Sequence, residues 1–405
     1  MNTLAFRAPC LSRDLRIRLL LVVGAAAFLD TTWFTVLTPL LPHYKEATQL
    51  TESQAGILSA SYAIGSLIAA VPSGLLAVRV GSRQAALTGL ALLAVSSFVF
   101  GWTTDVSILM LSRAAQGGSG ALMFAGALAW LINVAPKAER GKMMGGAMAA
   151  GVFGALAGPP LGALGAAIGS RTLFTAIALI PVLLGLAALT IPDAGHAAED
   201  SRIRTAFGSK TFRTGLLLLI APSLCFGVLA VLAPLRLDDL GAGAGLIGLA
   251  FLLSALTEGV LAPLAGSRSD VIGRRRPFLI GILTSTVAVI SLSFVSSVPM
   301  VIGGLVVCSA GGGLAIIPAL TYISDAAEHL AIPQAFALAL SNFGWSAGTA
   351  AGGLAAGSLA EAEGFRLPLI VAALLLTITL IRAWPLELVF ADSSDSPEIQ
   401  AAEEE

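Results

Sequence analysis

The stretch GLLAVRVGSRQ, residues 74–84, has a counterpart in GSRSDVIGRRR, residues 266–276. Three positions align at an offset of 192 residues, namely Gly74 with Gly266, Gly81 with Gly273, and Arg83 with Arg275. This offset is close to half of the 405-residue chain. A repeat of this length predicts that the chain is built from two similar halves.

A second repeated pattern supports this division. Glycines recur at every fourth position in each half, at an offset of 190 residues: Gly154, Gly158 and Gly162, then Gly344, Gly348 and Gly352. Glycines at this spacing lie on one face of a helix and allow another helix to approach closely. We therefore predict that the fifth span of each half packs tightly against a neighbouring helix.

The composition places these halves in a membrane. Hydrophobic residues make up 56% of the chain and charged residues only 12%, roughly half the charged share of a soluble domain. A soluble protein could not cover so much apolar surface with polar side chains. The formal net charge of −1 indicates neither nucleic acid nor an acidic substrate as a partner.

Apolar segments of about 20 residues predict membrane-spanning helices. Twelve such segments are predicted, over residues 19–42, 55–77, 84–102, 107–132, 143–167, 173–191, 214–235, 244–265, 277–297, 299–323, 333–358 and 366–386. The first is too long for a signal peptide, so we expect it to span the membrane uncleaved. The predicted fold class is an all-α integral membrane protein.

The loop charges predict the orientation. With the amino terminus inside, the inner loops and ends hold eighteen lysines and arginines, and the outer loops hold four, Lys45, Arg171, Arg236 and Arg366. This asymmetry predicts that both ends are cytoplasmic. The predicted units are a six-helix bundle over 1–192, a cytoplasmic linker over 193–213, a second six-helix bundle over 214–391 and an acidic cytoplasmic tail over 392–405.

Four motifs carry a resemblance to a known family. The loop motif after span two comprises Gly74, Leu76, Ala77, Arg79, Gly81 and Arg83. The span-four motif comprises Arg113, Gln116 and Gly117, and the span-five motif comprises Gly154, Gly158, Pro159 and Gly162. The span-one pattern comprises Asp30, Pro39 and Pro42. Over nearly its whole length the chain resembles the major facilitator superfamily, and within it the twelve-span drug:proton antiporters.

The resemblance implies a fold of two six-helix bundles and a role for each motif. It ties Arg113 to proton coupling and the span-five glycines to antiport. In the loop motif the family usually has an aspartate that stabilises one conformation, whereas the first copy here has Val78. The second copy keeps an acid, so a latch is expected there between Asp270 and Arg274 or Arg275.

Asp30 lies in the middle of the first span, within FLDTTWFTVLTPLLP, residues 28–42. A carboxylate at that depth costs roughly 2.5–3.5 kcal/mol, and such residues usually serve a function. Arg113 in span four remains charged. A nearby arginine favours the charged form of a carboxylate and burial favours its neutral form. We therefore predict that Asp30 and Arg113 couple proton movement to transport; the alternative is a fixed structural ion pair.

The candidate residues of a central substrate cavity are Trp33, Gln116, Glu258, Asn342 and Trp345. Glu258 is the second acid within a span, and it would bind a cationic substrate or a second proton. The alternative is a carboxylic acid kept neutral in a polar notch, or one that faces the end of a neighbouring helix. Trp33 lies one turn from Asp30 and suits an aromatic wall beside a cation; interior packing or lipid contact is its alternative.

Other classes of function lack support in the sequence. The segment GAGLIG, residues 243–248, lacks the preceding strand of a dinucleotide site, and GSKT, residues 208–211, lacks the glycine spacing of a P-loop. Cys10, Cys225 and Cys308 are widely spaced and indicate neither a disulfide framework nor a metal site. We expect no enzyme activity, no cofactor and no metal, and we expect a monomer.

Three functional hypotheses remain open. The first is a proton-coupled exporter of small organic compounds, including drugs, in a bacterial inner membrane. The second is an importer or symporter of a small metabolite, such as a sugar or an organic acid. The third is a receptor or scaffold that does not transport. The expected partners are a small-molecule substrate, protons and membrane lipid.

Overall fold

The computed structural model describes residues 13–135, 140–193, 208–330, 332 and 334–385, and its regular structure there is helical throughout. The helices of the first half are α1 Arg13–Val36, α2 Leu41–Ala47, α3 Glu52–Val80, α4 Ser82–Trp102, α5 Val106–Val134, α6 Arg140–Ile168 and α7 Ser170–Leu189. Those of the second half are α8 Lys210–Asp239, α9 Ala244–Ile272, α10 Arg275–Leu292, α11 Val298–His329, α12 Gln334–Glu363 and α13 Arg366–Ala383.

Ten helices among the described residues are long and apolar enough to cross a membrane. The number is eleven if α3 counts as one span, since its segments Glu52–Ala70 and Pro72–Val80 meet at an angle of 49°. Proline at a bend removes a backbone donor and weakens the helix there. The prediction of a multi-pass helical membrane protein is therefore confirmed, while twelve spans and cytoplasmic ends stay predictions.

The helices pack in two groups that follow the chain order. In the first group α1 packs on α6, and α5 packs on α3 and α4. In the second group α8 packs on α12, and α11 packs on α9 and α10. The groups meet along α3 with α12 and along α6 with α9. The predicted domain boundaries stay predictions, because most of the linker and the whole tail lie outside the described residues.

The repeated loop motif has the same backbone conformation in both halves. Gly81 ends α3 with φ +97°, and Gly273 ends α9 with φ +80°. Residues with a side chain rarely adopt such angles, so glycine is needed at both positions. The two aligned arginines also reach equivalent places. Arg83 donates to the carbonyl of Leu189 at 2.6 Å, and the guanidinium of Arg275 lies 5.8 Å from the ring of Trp384.

The glycine ladders pack on the first helix of their own half. A Cβ atom added to Gly162 would lie 2.2 Å from the carbonyl oxygen of Val36 in α1. A Cβ added to Gly352 would lie 2.1 Å from the carbonyl oxygen of Leu224 in α8. Both helix pairs therefore meet backbone to backbone, which only glycine permits at this distance.

The two groups also touch where α3 begins and α12 ends. A carboxylate oxygen of Glu361 accepts hydrogen bonds from the Thr51 hydroxyl and from the Ser53 amide, both at 2.8 Å. Deeper along the same pair of helices, a Cβ on Gly56 would lie 2.7 Å from the carbonyl oxygen of Gly353. This end of the molecule is therefore closed by direct contact between the halves.

Candidate proton and substrate site

Asp30 is held by a tyrosine of α3. The Tyr62 hydroxyl donates to the Asp30 carboxylate at 2.5 Å and lies 3.0 Å from the Asp30 main-chain carbonyl oxygen. Gly120 of α5 provides the space, because a Cβ there would lie 1.9 Å from a carboxylate oxygen of Asp30. A small space of about 20 Å³ also borders Asp30, which is enough for about one water molecule.

Arg113 does not bond to Asp30. Its guanidinium donates to the carbonyl oxygens of Trp33 and Phe34, at 2.6 and 2.7 Å, and to the side-chain oxygen of Gln116 at 2.9 Å. The two carbonyls belong to the last turn of α1, where the final carbonyls of a helix lack partners within the helix. Arg113 therefore caps the carboxyl-terminal end of α1 from a neighbouring helix.

Tyr62 connects the two charged residues. The Arg113 guanidinium lies 4.6 Å from the centre of the Tyr62 ring, whose hydroxyl bonds to Asp30. Asp30 and Arg113 are therefore linked through Tyr62, and within the described part of the chain no ion pair joins them. Arg113 is 2% exposed, so its charge acts in a region with little water and is weakly screened.

A cavity of about 330 Å³ lies between the two halves. Its lining comes from α1 and α6 on one side, and from α8, α9, α11, Ser285 of α10 and Trp345 of α12 on the other. Glu258 of α9 faces this cavity, and among the described residues it has no hydrogen-bond or ion-pair partner. A carboxylate in an apolar surrounding without a partner is costly. This arrangement suits a cationic ligand.

A row of aromatic rings leads from the Asp30 site into the cavity. The ring of Phe34 lies 5.4 Å from that of Tyr62 and 5.7 Å from that of Phe226 in α8. The ring of Phe226 lies 5.5 Å from that of Trp345. Phe34, Phe226 and Trp345 all line the cavity. The row thus crosses from one half of the molecule to the other.

The other predicted cavity residues lie elsewhere. Trp33 is 1% exposed, and its indole nitrogen donates to Ser97 of α4 at 2.6 Å. The prediction that Trp33 lines the cavity is therefore wrong, because this side chain packs in the interior of the first half. The physical reason is the helical turn of about 100° per residue, which directs Phe34 to the cavity and Trp33 away. Gln116 is buried beside Arg113. The amide nitrogen of Asn342 lies 3.5 Å from the Ser66 hydroxyl of α3.

The loop motifs have mixed outcomes. The side chain of Asp270 lies outside the described residues, so a latch through it stays a prediction. Arg274 forms an ion pair with Asp325, which lies near the end of α11. Arg79 is exposed at the end of α3. Pro159 of the span-five motif lines the cavity.

Sequence reasoning missed Tyr62 and Gly120. Tyr62 is one of only three tyrosines in the chain, and its position within an apolar span was an available signal. Gly120 lies in the segment that carries the span-four motif, but only its distance from Asp30 reveals its role. The pairing of Cys225 with Cys308 was also not predictable, because 83 residues separate them in the sequence.

A bundle of long apolar helices in two groups around a central cavity is typical of membrane transporters. The chain belongs to the Major Facilitator Superfamily, whose family model matches residues 23–235 and 215–404. The resemblance drawn from the motifs is thereby confirmed. The chain is accordingly a transporter-family membrane protein and not an enzyme.

Curated relatives come from animals and bacteria. The human synaptic vesicular amine transporter is 27% identical over 328 residues, which are 77% of this chain and 62% of the relative. The chain therefore spans less than two thirds of that relative's length. The quinolone resistance protein NorA of Staphylococcus aureus (strain MSSA476) is 27% identical over 208 residues, which are 50% of this chain and 54% of NorA.

Solved structures show the same fold. A bacterial homolog of the human lysosomal transporter Spinster, inward-facing and unoccupied, matches with a TM-score of 0.76 at 14% identity, over 92% of this chain and 97% of that one. Its inward-facing and occupied form matches with a TM-score of 0.78 at 16% identity, over the same shares of both chains.

Proposed function

We propose that the protein is a proton-coupled antiporter that exports small organic compounds, drugs and organic cations among them. The observation that carries this proposal is Asp30 in the first span, hydrogen-bonded to Tyr62 and one aromatic ring away from Arg113. An ionisable group kept at that depth, with a donor and a cation arranged around it, is typical of a proton site.

In the proton step, Asp30 alternates between carboxylate and carboxylic acid. As a carboxylate it accepts the Tyr62 hydroxyl, and the Arg113 charge beyond the ring favours that state. As an acid it donates through its protonated oxygen, so a Tyr62 hydroxyl that was bonded to that oxygen turns to another acceptor. The main-chain carbonyl of Asp30, 3.0 Å from the same hydroxyl, is such an acceptor.

In the substrate step, the cargo occupies the central cavity. Glu258 supplies a negative charge, and the rings of Phe34, Phe226 and Trp345 supply flat apolar faces. Aromatic faces attract organic cations, by roughly 2 kcal/mol when the contact is desolvated. The names of the relatives, an amine transporter and a quinolone resistance protein, support cargo of this chemistry.

The coupling follows from alternating access. The two six-helix bundles rock about the cavity, so that Asp30 and the cargo site face each side of the membrane in turn. The chain would work as a monomer in the bacterial inner membrane, with twelve spans, both ends in the cytoplasm and the Thr51 and Glu361 contact on the outer face. The excess of basic residues in the predicted inner loops supports this orientation.

The test measures proton movement in inside-out membrane vesicles energised by respiration. A pH-sensitive dye reports the gradient while organic cations and drugs are added to vesicles with the native protein, Asp30→Asn or Glu258→Gln. We expect the native protein to dissipate the gradient when a cargo compound is added and Asp30→Asn to abolish this response. If Asp30→Asn responds like the native protein while cargo still moves, the antiport proposal fails and an importer or facilitator takes its place.

A further inference from the structure

Two cysteines from distant parts of the second half meet in the structure. The sulfur atoms of Cys225 in α8 and Cys308 in α11 lie 3.6 Å apart, and both residues are free thiols. Their exposed fractions are only 2% and 5%. This separation is that of two thiols in contact, well above the roughly 2.05 Å of a disulfide bond.

Both thiols belong to the wall of the central cavity, which they share with Glu258. The hydroxyls of Ser285 and Ser309 line the same cavity, and Ser285 donates to the main-chain carbonyl of Cys308 at 3.3 Å. A compound that enters the cavity can therefore reach both sulfurs without passing through the packed interior of a bundle. Bulk solvent reaches them poorly, as their low exposure shows.

The distance between the sulfurs restricts what they could bind together. Two bonds of about 2.3 Å at a near-tetrahedral angle place the sulfurs about 3.8 Å apart, close to the observed 3.6 Å. Two such bonds on opposite sides of a linear ion would need about 4.6 Å. The pair therefore suits a bent, two-point attachment to one centre.

In the part of the chain that the structure describes, only these two thiols are available as ligands at this site. Among the described residues no group of three or more His, Cys, Asp and Glu side chains could hold a metal ion. A structural zinc site needs four ligands, so this pair does not fit a resident metal. It fits a centre that arrives in the cavity with a substituent of its own and with oxygen ligands that two thiols can displace.

We propose that Cys225 and Cys308 form a two-thiol binding site for trivalent organoarsenicals and related thiophilic centres that enter the central cavity. Soft centres prefer sulfur ligands over oxygen. With an arsenical of the form R–As=O, two As–S bonds form and two S–H bonds break. Both protons leave with the oxygen as one water molecule, and arsenic remains trivalent, so no oxidant or reductant is required.

The test uses intact-mass spectrometry of the full chain in detergent, reduced and then freed of reductant. Phenylarsine oxide is added, followed by an excess of a monothiol, which removes arsenic held by a single sulfur. We expect the native protein to keep one phenylarsenic group per chain, with the mass of two hydrogens lost. A dithiol such as dimercaptopropanol should then remove it.

Matched variants assign the site. Cys225→Ser and Cys308→Ser should each lose the monothiol-resistant adduct, and Cys10→Ser should keep it. A thermal unfolding midpoint close to that of the native protein shows that each serine variant is folded. Three results would overturn the proposal: no adduct on the folded native protein, an adduct that survives in Cys225→Ser, or a disulfide in place of the two thiols after reduction. Because no transport is measured, the outcome is independent of the proton-coupling proposal.

Discussion

Each half of the molecule carries one acidic residue inside the apolar spans predicted from the sequence, and the surroundings of these two residues differ. In the first half, Asp30 is hydrogen-bonded by Tyr62, and Arg113 lies across the same ring. In the second half, Glu258 faces the central cavity without a partner among the described residues. The same scaffold therefore holds a hydrogen-bonded acid in one half and, in the other, an acid that faces an open cavity.

The scaffold itself is alike in both halves. Gly81 and Gly273 end equivalent helices with positive φ, and Gly162 and Gly352 meet carbonyl oxygens of equivalent helices. The repeat thus preserves the backbone contacts and turns, while the polar side chains differ. The following predictions test how far this division between a shared scaffold and separate polar sites extends.

The largest effect is expected from Arg113→Lys. Arg113 has no equivalent in the second half. Lysine cannot reproduce the fork that binds the carbonyls of Trp33 and Phe34 together with Gln116. A buried acceptor left without a donor costs roughly 1–3 kcal/mol, so we expect a loss of about 3 kcal/mol in unfolding free energy. Thermal unfolding measures it, with the exposed Arg382→Lys as control. Equal midpoints for both variants would show that Arg113 does not cap α1.

The next prediction tests whether the glycine ladders of the two halves contribute equally to stability. Gly162→Ala and Gly352→Ala should each lower stability by about 1–3 kcal/mol, because the new methyl group overlaps a backbone carbonyl. The two losses should be similar. Gly303→Ala on α11 is the control, since nothing lies within 4 Å of its added Cβ. If one ladder tolerates alanine and the other does not, the helix packing of the two halves is not equivalent.

A smaller effect separates the two acidic sites. Tyr62→Phe removes the donor to Asp30 and should reduce proton-coupled transport about tenfold, which corresponds to roughly 1.4 kcal/mol. The KM for an organic cation should stay near the native value. Glu258→Gln should do the reverse, raising that KM while cargo still drives proton movement. Vesicle transport at several cargo concentrations measures both, and identical changes in both variants would argue against separate sites.

The smallest effect concerns the contact between the halves at Glu361, three residues beyond the predicted span 333–358. Hydrogen bonds from the Thr51 hydroxyl and the Ser53 amide lower the pKa of Glu361 below its ordinary value of 4.5. A carboxyl with a lowered pKa strengthens the closed contact above that value and loses this contribution as pH falls through the lowered pKa. The closed form should therefore open more readily in acid.

This pH dependence is measurable with a fluorescent pair placed near the starts of α3 and α13. Glu361→Gln should weaken the closed form at neutral pH and remove its acid dependence. Glu363→Gln at the same helix end should behave like the native protein. An unchanged acid response in Glu361→Gln would assign the effect to another group.

The sequence predicted the features that depend on spacing. The repeat at 192 residues, the glycine ladders and the apolar spans are visible because helices in lipid need regular patterns. Asp30 and Glu258 also stood out, since acids are rare in apolar spans. The partners of Asp30 were not predictable in this way, because Tyr62 and Gly120 reach it from other helices and no spacing in the sequence encodes that contact.

The error on Trp33 has a similar origin. The sequence shows that Trp33 and Phe34 are both close to Asp30, and it does not show which of them faces the second half. That choice depends on how α1 is rotated against α4 and α8, which the packing of both bundles decides. The sequence showed that the two glycine ladders have the same spacing. Only the structure showed that they pack on α1 and α8.

The contact between Phe34 and Phe226 has a further consequence. These rings come from α1 and α8, one from each half, and they stack 5.7 Å apart inside the cavity. Such a pair contributes about 0.5–1.5 kcal/mol. Flat cargo that entered between the two rings would replace their contact with each other by one contact to each ring. The cavity would then favour flat aromatic cargo that stacks as these two rings do. Planarity would select the cargo before any polar group contributes to binding.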